Sequence, residues 1–254
     1  MSMENLSLRR TGRGRAVVFL GGCPTPWDVL SPIANALSTT HETIEVALPG
    51  YGASPLLPGR YTLTAAHEAI EGTLIRAGVC ECALVGFSAG AYRALAIACR
   101  GVVRATHVLS IAGLASLSAE EATGFRGFAA AIRAGQDLKG LATQRFLSPA
   151  FATAHPEAGR AVEAWFGAAP GEVVASELEA FADAEDLSTA LGALTAPVVA
   201  RVGSVDAAVP PPKSEAIVRA CASARLELVD GAGHALAYED LGGTIEALRR
   251  LLAR

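Results

Sequence analysis

Short apolar runs alternate with longer stretches of helical periodicity along most of the chain. Within the runs, the apolar residues follow one another nearly continuously, which is typical of strands buried on both faces of a parallel sheet. The pattern predicts six strands, at residues 16–20, 43–48, 82–87, 106–111, 197–202 and 226–229. It predicts helices at residues 32–37, 63–77, 89–99, 214–220 and 244–252. This repeated strand–helix order predicts an α/β fold with a mostly parallel central sheet and helices on both faces.

The alternation of strands and helices stops between about residues 114 and 190. This segment contains seven of the fourteen aromatic residues of the chain, and prolines at 149, 156 and 170 divide it. Its apolar positions recur at helical spacing. We therefore predict a helical insert of about four helices at 114–190, carried by a core at 1–113 and 191–254.

One serine lies at the junction of a predicted strand and a predicted helix. Residues 86–90 read Gly-Phe-Ser-Ala-Gly, which is the G-x-S-x-G pattern of a nucleophile elbow in the context that it requires. Gly86 and Gly90 remove the Cβ atoms that would collide in so sharp a turn. The following helix directs its first N–H groups toward a developing anion. We predict that Ser88 is a nucleophile, and the alternative is a glycine-rich turn with an incidental serine.

A serine hydroxyl needs a base, and the base needs an acid that orients it. Of the five histidines, only His234 lies in a loop directly after a predicted strand, at the sheet edge where Ser88 lies. Asp206 follows the strand at 197–202 and lies at the same edge. The other six aspartates fall in predicted helices, in the insert, at a helix start, or too near His234 in sequence. We predict His234 as the general base and Asp206 as its acid.

The oxyanion of an acyl-transfer reaction needs a second donor besides the Ala89 N–H. The loop after the strand at 16–20 contains Gly21 and Gly22, which let the backbone approach closely. The backbone N–H of Cys23 is the predicted second donor, and the Cys23 thiol is predicted to be a wall of the pocket.

Four residues are predicted to bind the substrate. Gly22 lies in the predicted oxyanion loop, and Phe87 directly precedes the predicted nucleophile. Trp165 and Phe166 belong to the insert, and adjacent residues of a helix point about 100° apart. We therefore expect that at least one of these two rings contacts the substrate.

Taken together, these motifs resemble the α/β-hydrolase superfamily over nearly the whole chain. The chain order of Ser88, Asp206 and His234 is the order in that family. Residues 48–54, Leu-Pro-Gly-Tyr-Gly-Ala-Ser, resemble the family's glycine loop, and Gly21 stands where the family usually has the His of a His-Gly motif.

The resemblance implies the α/β-hydrolase fold, with the insert at 114–190 as the family's helical cap. Residues 145–151 together with 155–157 are similar to the cap of enol-lactonase-like members. The fold of this family does not by itself identify the substrate.

Composition excludes several classes of protein. The 254 residues are 51% hydrophobic and 18% charged, which is typical of a globular domain. A net charge of −4 without a basic run predicts no nucleic-acid partner. Five cysteines, an odd number without a nearby histidine cluster, predict neither a disulfide framework nor a metal site. The apolar run at 16–20 is too short for a signal peptide or a membrane span, so we expect a cytoplasmic protein.

These observations predict an enzyme. We expect a serine hydrolase that cleaves an ester, lactone or thioester of a small to medium apolar molecule through an acyl-enzyme, without a cofactor or metal. The alternative is a ligand-binding or signalling protein on the same scaffold, with a slow or vestigial triad. The sequence predicts a small-molecule partner and leaves the substrate and the oligomeric state open.

Overall fold

The fold is built on a seven-stranded sheet. The structure, a computed structural model, describes residues 5–253, and at position 139 the backbone only; residues 1–4 and 254 of the predicted core lie outside this range. The strands are β1 (Leu8–Thr11), β2 (Ala16–Leu20), β3 (Glu42–Val46), β4 (Glu81–Phe87), β5 (Arg104–Ile111), β6 (Val198–Gly203) and β7 (Ala224–Val229). Their spatial order is β1-β3-β2-β4-β5-β6-β7, with β1 antiparallel to β3 and all other pairs parallel.

Twelve α-helices and one 3₁₀ turn accompany the strands in the described part of the chain. In chain order they are α1 (Ser31–Leu37), α2 (Leu63–Arg76), α3 (Ala89–Arg100), α4 (Ala119–Arg133), α5 (Lys139–Phe146), α6 (Pro149–Ala154), α7 (Pro156–Ala164), the 3₁₀ turn Trp165–Gly167, α8 (Gly171–Ala182), α9 (Ser188–Leu191), α10 (Pro211–Ala220), α11 (Leu236–Glu239) and α12 (Leu241–Leu252). No helix of residues 5–253 combines the length and the apolar composition that crossing a membrane requires.

The sheet is buried on both faces, which explains the nearly continuous apolar runs. Val17 and Phe19 of β2 pack in a cluster with α1 and α12 on one face. Val18 and Leu20 of the same strand pack in a second cluster with α2 and α3 on the other face. Successive side chains of a strand point to opposite faces, so most residues of a strand that is buried on both faces are apolar. The six predicted strands are therefore all present, with ends that differ by at most two residues.

Two helices begin three residues earlier than the sequence pattern indicated. Helix α10 begins at Pro211, because proline at the first position fits the helical φ and needs no hydrogen bond there. Helix α12 begins at Leu241, because the side chain of Asp240 accepts a hydrogen bond from Gly243 N. Both signals lie in the sequence just before the first residue of apolar periodicity.

Strand β1 was not predicted from the sequence. Two of its four residues are arginines, and such a segment does not have the pattern of a buried strand. In the structure, Arg9 forms an ion pair with Glu45 of β3, and Arg10 forms one with Glu42. The charged side chains of β1 thus find their partners across the antiparallel pair, at the edge of the sheet.

The segment between β5 and β6 is helical. Within residues 114–190 it contains α4 to α8, the 3₁₀ turn and the first part of α9, where the sequence predicted about four helices. Helix α4 packs along α8, and α5 packs against α7. We call α4 to α8, with the 3₁₀ turn, the helical insert.

Candidate active site

Ser88 lies in the sharp turn between β4 and α3. Its backbone φ of 55° and ψ of −119° lie in a region that residues with a side chain rarely adopt. Ser88 N donates a hydrogen bond to Ile111 O at 2.8 Å, which fixes the turn against β5. A Cβ at Gly86 would lie 2.2 Å from Gly90 O, and a Cβ at Gly90 would lie 2.1 Å from Leu20 O. The two glycines therefore let the turn close, and it holds Ser88 at the carboxyl edge of the sheet.

His234 and Asp206 meet at the same edge in a buried pair. Nδ1 of His234 lies 2.8 Å from Oδ2 of Asp206, and the two side chains are 2% and 0% exposed. The other carboxylate oxygen, Oδ1, accepts hydrogen bonds from Ala208 N and Val209 N, both at 2.8 Å. With Asp206 Oδ2 as the acceptor, the ring proton lies on Nδ1 and Nε2 is free to accept a proton.

The pair lies beside the end of β4, the strand that directly precedes Ser88. The ring of Phe87, the residue before Ser88, lies 5.0 Å from the ring of His234 between centroids. Ser88 is partly exposed. Within residues 5–253, the polar contact of the His234 ring is with Asp206, and the ring forms no hydrogen bond with the Ser88 hydroxyl. Such bonds often tighten only when a substrate binds.

The loop after β2 lies directly against Ser88. A Cβ at Gly22 would lie 3.1 Å from Ser88 Cβ. Thr25 Oγ1 donates a hydrogen bond to Gly22 O at 3.1 Å, which holds the loop from within. Cys23 is partly exposed, and Ala89 begins α3, where the first N–H groups have no acceptor in the helix.

The Cys23 thiol is held in its protonated form. Burial raises the pKa of this thiol well above its usual value, and the negative charge of Glu177 raises it further. Because the thiolate is the reactive form of cysteine, Cys23 is a poor nucleophile.

The sequence matches the alpha/beta hydrolase family over residues 17–247. The chain belongs to this family. No curated protein matches the sequence.

Solved structures share the complete fold of this α/β-hydrolase. An esterase from Thermogutta terrifontis has a TM-score of 0.90 and 26% identity, with 98% of this chain and 93% of that chain covered. The enol-lactonase from Burkholderia xenovorans has a TM-score of 0.88 and 21% identity, with 98% and 96% covered. An esterase from Exiguobacterium antarcticum has a TM-score of 0.83 and 20% identity, with 98% and 96% covered. At 21% and 20% identity, the last two show the fold alone.

Near the loop after β2 of this α/β-hydrolase lies a buried ion pair that the sequence analysis missed. Glu177 of α8 pairs with Arg93 of α3, and both side chains are 0% exposed. The Tyr51 hydroxyl donates to Glu177 Oε2 at 2.5 Å and lies 3.8 Å from Cys23 Sγ. The Tyr61 hydroxyl lies 3.4 Å from an Arg93 nitrogen. The network joins the insert to the core, and neither charged residue lies in a local motif that could have revealed it.

We expect Glu177→Gln to destabilise the protein strongly. Breaking a buried pair by removing one charge leaves the other charge uncompensated, which costs about 3–5 kcal/mol. Urea unfolding measures this change in the free energy of unfolding. Glu179→Gln is the matched control on the same helix, because Glu179 lies at the surface and pairs with Arg133. Equal changes in the two variants would contradict the placement of Glu177 and Arg93 as a buried ion pair.

The predicted substrate-binding aromatic residues lie in two different environments. Trp165 is 2% exposed, and its ring lies edge-on to Phe87 with the centroids 6.1 Å apart. Phe87 is itself 0% exposed, so both side chains lie in the core around His234 rather than on a free surface. Phe166 is partly exposed and its ring lies 5.9 Å from Phe128 of α4.

A fourth aromatic residue, Phe146 of α5, was not predicted to belong to the site. Its ring stacks on the His234 ring with a centroid distance of 5.3 Å and an interplanar angle of 30°. It also lies 5.8 Å from the ring of Trp165. Sequence spacing does not distinguish this phenylalanine from the other aromatic residues of the insert.

A groove of about 350 Å³ lies away from Ser88, between α2, α3 and the end of α8. His67 and Cys99 line it. Burial lowers the pKa of His67 to about 3, and burial raises the pKa of Cys99 to about 11. The His67 imidazole and the Cys99 thiol are therefore both neutral near pH 7. Among residues 5–253, no group of three or more potential ligands is placed to hold a metal ion.

Proposed function

We propose that this α/β-hydrolase is a serine hydrolase that cleaves ester, lactone or thioester bonds. The observation that supports this most strongly is the buried 2.8 Å contact between His234 and Asp206, beside the strained turn that presents Ser88. The likeness to an esterase at 26% identity supports the choice of an ester-type bond.

In the first half of the reaction, Ser88 Oγ attacks the carbonyl carbon of the substrate. Nε2 of His234 accepts the Ser88 proton as the new bond forms, and Asp206 stabilises the resulting imidazolium. The backbone N–H groups of Cys23 and Ala89 donate to the negatively charged oxygen. The carbon–oxygen or carbon–sulfur bond then breaks, and the imidazolium returns the proton to the leaving alcohol or thiol. An acyl group remains on Ser88.

In the second half, water replaces the leaving group. His234 accepts a proton from the water as the water attacks the acyl carbon, and it then returns this proton to Ser88 Oγ. The products are a carboxylic acid and the free enzyme. The same histidine thus serves acylation and deacylation.

In this proposal, the insert at 114–190 is a cap over the site. Two contacts support this assignment: Phe146 stacks on His234, and Glu177 accepts a hydrogen bond from Tyr51. The aromatic and aliphatic side chains of the insert favour a small to medium apolar acyl group. Of the four predicted substrate-binding residues, Phe166 is partly exposed, and Gly22 is buried directly against Ser88.

We expect the adjacent rings Trp165 and Phe166 to respond differently to truncation. Trp165→Ala removes a ring in the core, and such changes cost about 3–5 kcal/mol of the free energy of unfolding. Phe166→Ala is expected to change the dependence of kcat/KM on acyl length, because each buried methylene contributes about 0.8 kcal/mol. The measurements are urea unfolding and kcat/KM over p-nitrophenyl esters of increasing chain length. If neither variant changes the chain-length profile, the acyl pocket lies elsewhere.

Labelling with a fluorophosphonate tests the proposed function directly. A serine with an active base is expected to form a covalent adduct, and mass spectrometry of the peptide that contains Ser88 locates it. In a ligand-binding protein with a vestigial triad, Ser88 would form almost no adduct with the fluorophosphonate. This outcome would contradict the proposal.

A further inference from the structure

Glu239, the last residue of α11, connects the His234 loop to the helical insert. Its Oε2 accepts a hydrogen bond from Gly233 N at 3.0 Å, and its Oε1 accepts one from Ser148 N at 3.0 Å. Gly233 directly precedes His234, and Ser148 lies between α5 and α6. One carboxylate therefore binds backbone groups from two distant parts of the chain.

The residue after His234 is bound to the same part of the insert. Ala235 N donates a hydrogen bond to Phe146 O at 2.8 Å. The ring of Phe146 stacks on the His234 ring itself. Both backbone neighbours of His234 are thus held, one by Glu239 and one directly by the insert.

The packing at this junction leaves no room for a side chain at position 233. A Cβ at Gly233 would lie 2.6 Å from Ser148 N and 2.7 Å from Glu239 Oε1. Glycine therefore allows the His234 loop and the insert to share one carboxylate. Hydrogen bonds from backbone N–H groups to an ionised carboxylate are shorter and stronger than bonds between neutral groups.

We propose that Glu239 is a positioning residue for His234, and that residues 146–148 of the insert are part of the support of the base. This inference rests on the proposed function, in which His234 exchanges protons with Ser88. Glu239 does not touch the reacting atoms. It fixes the backbone on one side of His234, while the Phe146 carbonyl fixes the other side, and together they set where Nε2 lies relative to Ser88.

Glu239→Gln tests this inference with a side chain of nearly the same shape. The NH₂ group of glutamine cannot accept a hydrogen bond, so either Gly233 N or Ser148 N loses its acceptor. A displacement of about 1 Å at a catalytic group can cost about 100-fold in rate. We expect kcat for p-nitrophenyl acetate to fall by about 10- to 100-fold. KM should change little, because His234 serves acylation and deacylation alike.

The measurement must separate a misplaced base from a smaller amount of folded enzyme. Prolonged reaction with a fluorophosphonate counts the sites that can react, and kcat is expressed per labelled site. Glu246→Gln on α12 is the matched control: the Glu246 side chain is 55% exposed and pairs with Arg249. This control is expected to keep the kcat and KM of the unmodified enzyme.

A second variant examines the aromatic contact. Phe146→Leu removes the ring that stacks on His234 and keeps the carbonyl that accepts from Ala235 N. It is expected to lower kcat less than Glu239→Gln does. Because both changes act on one imidazole, the double variant should lose less than the product of the two single losses.

The outcomes distinguish the inference from the proposed function. An unchanged kcat per labelled site in Glu239→Gln, with lower stability alone, would overturn the positioning role. A raised KM with an unchanged kcat would overturn it as well, since Glu239 would then act on substrate binding. If Ser88→Ala keeps the activity of the unmodified enzyme, the proposed function itself fails, whatever Glu239→Gln shows.

Discussion

Ser88→Ala is expected to abolish turnover, with a fall in kcat of roughly 10³- to 10⁶-fold. The variant lacks the hydroxyl that forms the acyl-enzyme, while the oxyanion donors and the His234–Asp206 pair remain. Alanine has the same Cβ as serine, so the strained backbone of the turn and its contact with Gly22 are unchanged. The protein should therefore fold normally, and the loss should be one of chemistry.

Initial rates of p-nitrophenyl acetate hydrolysis measure this loss, and circular dichroism checks the fold. Ser110→Ala is a matched control on the neighbouring strand β5. The Ser110 hydroxyl is buried and has no hydrogen-bond partner within residues 5–253, so its removal should leave activity intact. If Ser88→Ala keeps more than about a tenth of the activity, another group attacks the substrate, because a triad without its nucleophile loses far more.

Asp206→Asn is expected to lower kcat by about 10⁴-fold through the wrong tautomer of His234. Ala208 N and Val209 N donate to Oδ1 of Asp206, so the oxygen of an asparagine takes this position. The NH₂ group then faces Nδ1 of His234 and donates to it. Nδ1 must become an acceptor, the ring proton moves to Nε2, and Nε2 can no longer take the proton of Ser88.

Steady-state kinetics on the same ester measure this effect. Asp230→Asn is the control in the same group of loops, because Asp230 lies at the surface and contacts Ser204 Oγ at 3.3 Å. We expect the control to have unchanged activity. If Asp206→Asn loses less than about tenfold while Ser88→Ala is inactive, another carboxylate orients the base, since the tautomer effect is far larger.

The sequence by itself determined the fold and the edge of the sheet at which the chemistry is proposed. Most residues of a strand buried on both faces are apolar, and β2 to β7 are visible in the sequence as short, mostly apolar runs. All these strands are parallel, and the loops that follow them lie at one edge. Ser88, Asp206 and His234 each follow a strand, and therefore their positions in the sequence were enough to place them near one another.

Only the tertiary structure decided which charged and aromatic residues support this edge. Glu177 and Arg93 are separated by 84 residues, and Ser148 and Glu239 by 91. Pairs so distant in sequence share no periodicity or motif, because their contact depends on how the insert packs on the core. For the same reason β1 was not predicted: its Arg9 donates a hydrogen bond to Glu45, which lies on another strand. Periodicity and capping motifs reflect the burial and hydrogen bonding of a residue within its own helix or strand. The contacts named above form instead between elements that are distant in sequence.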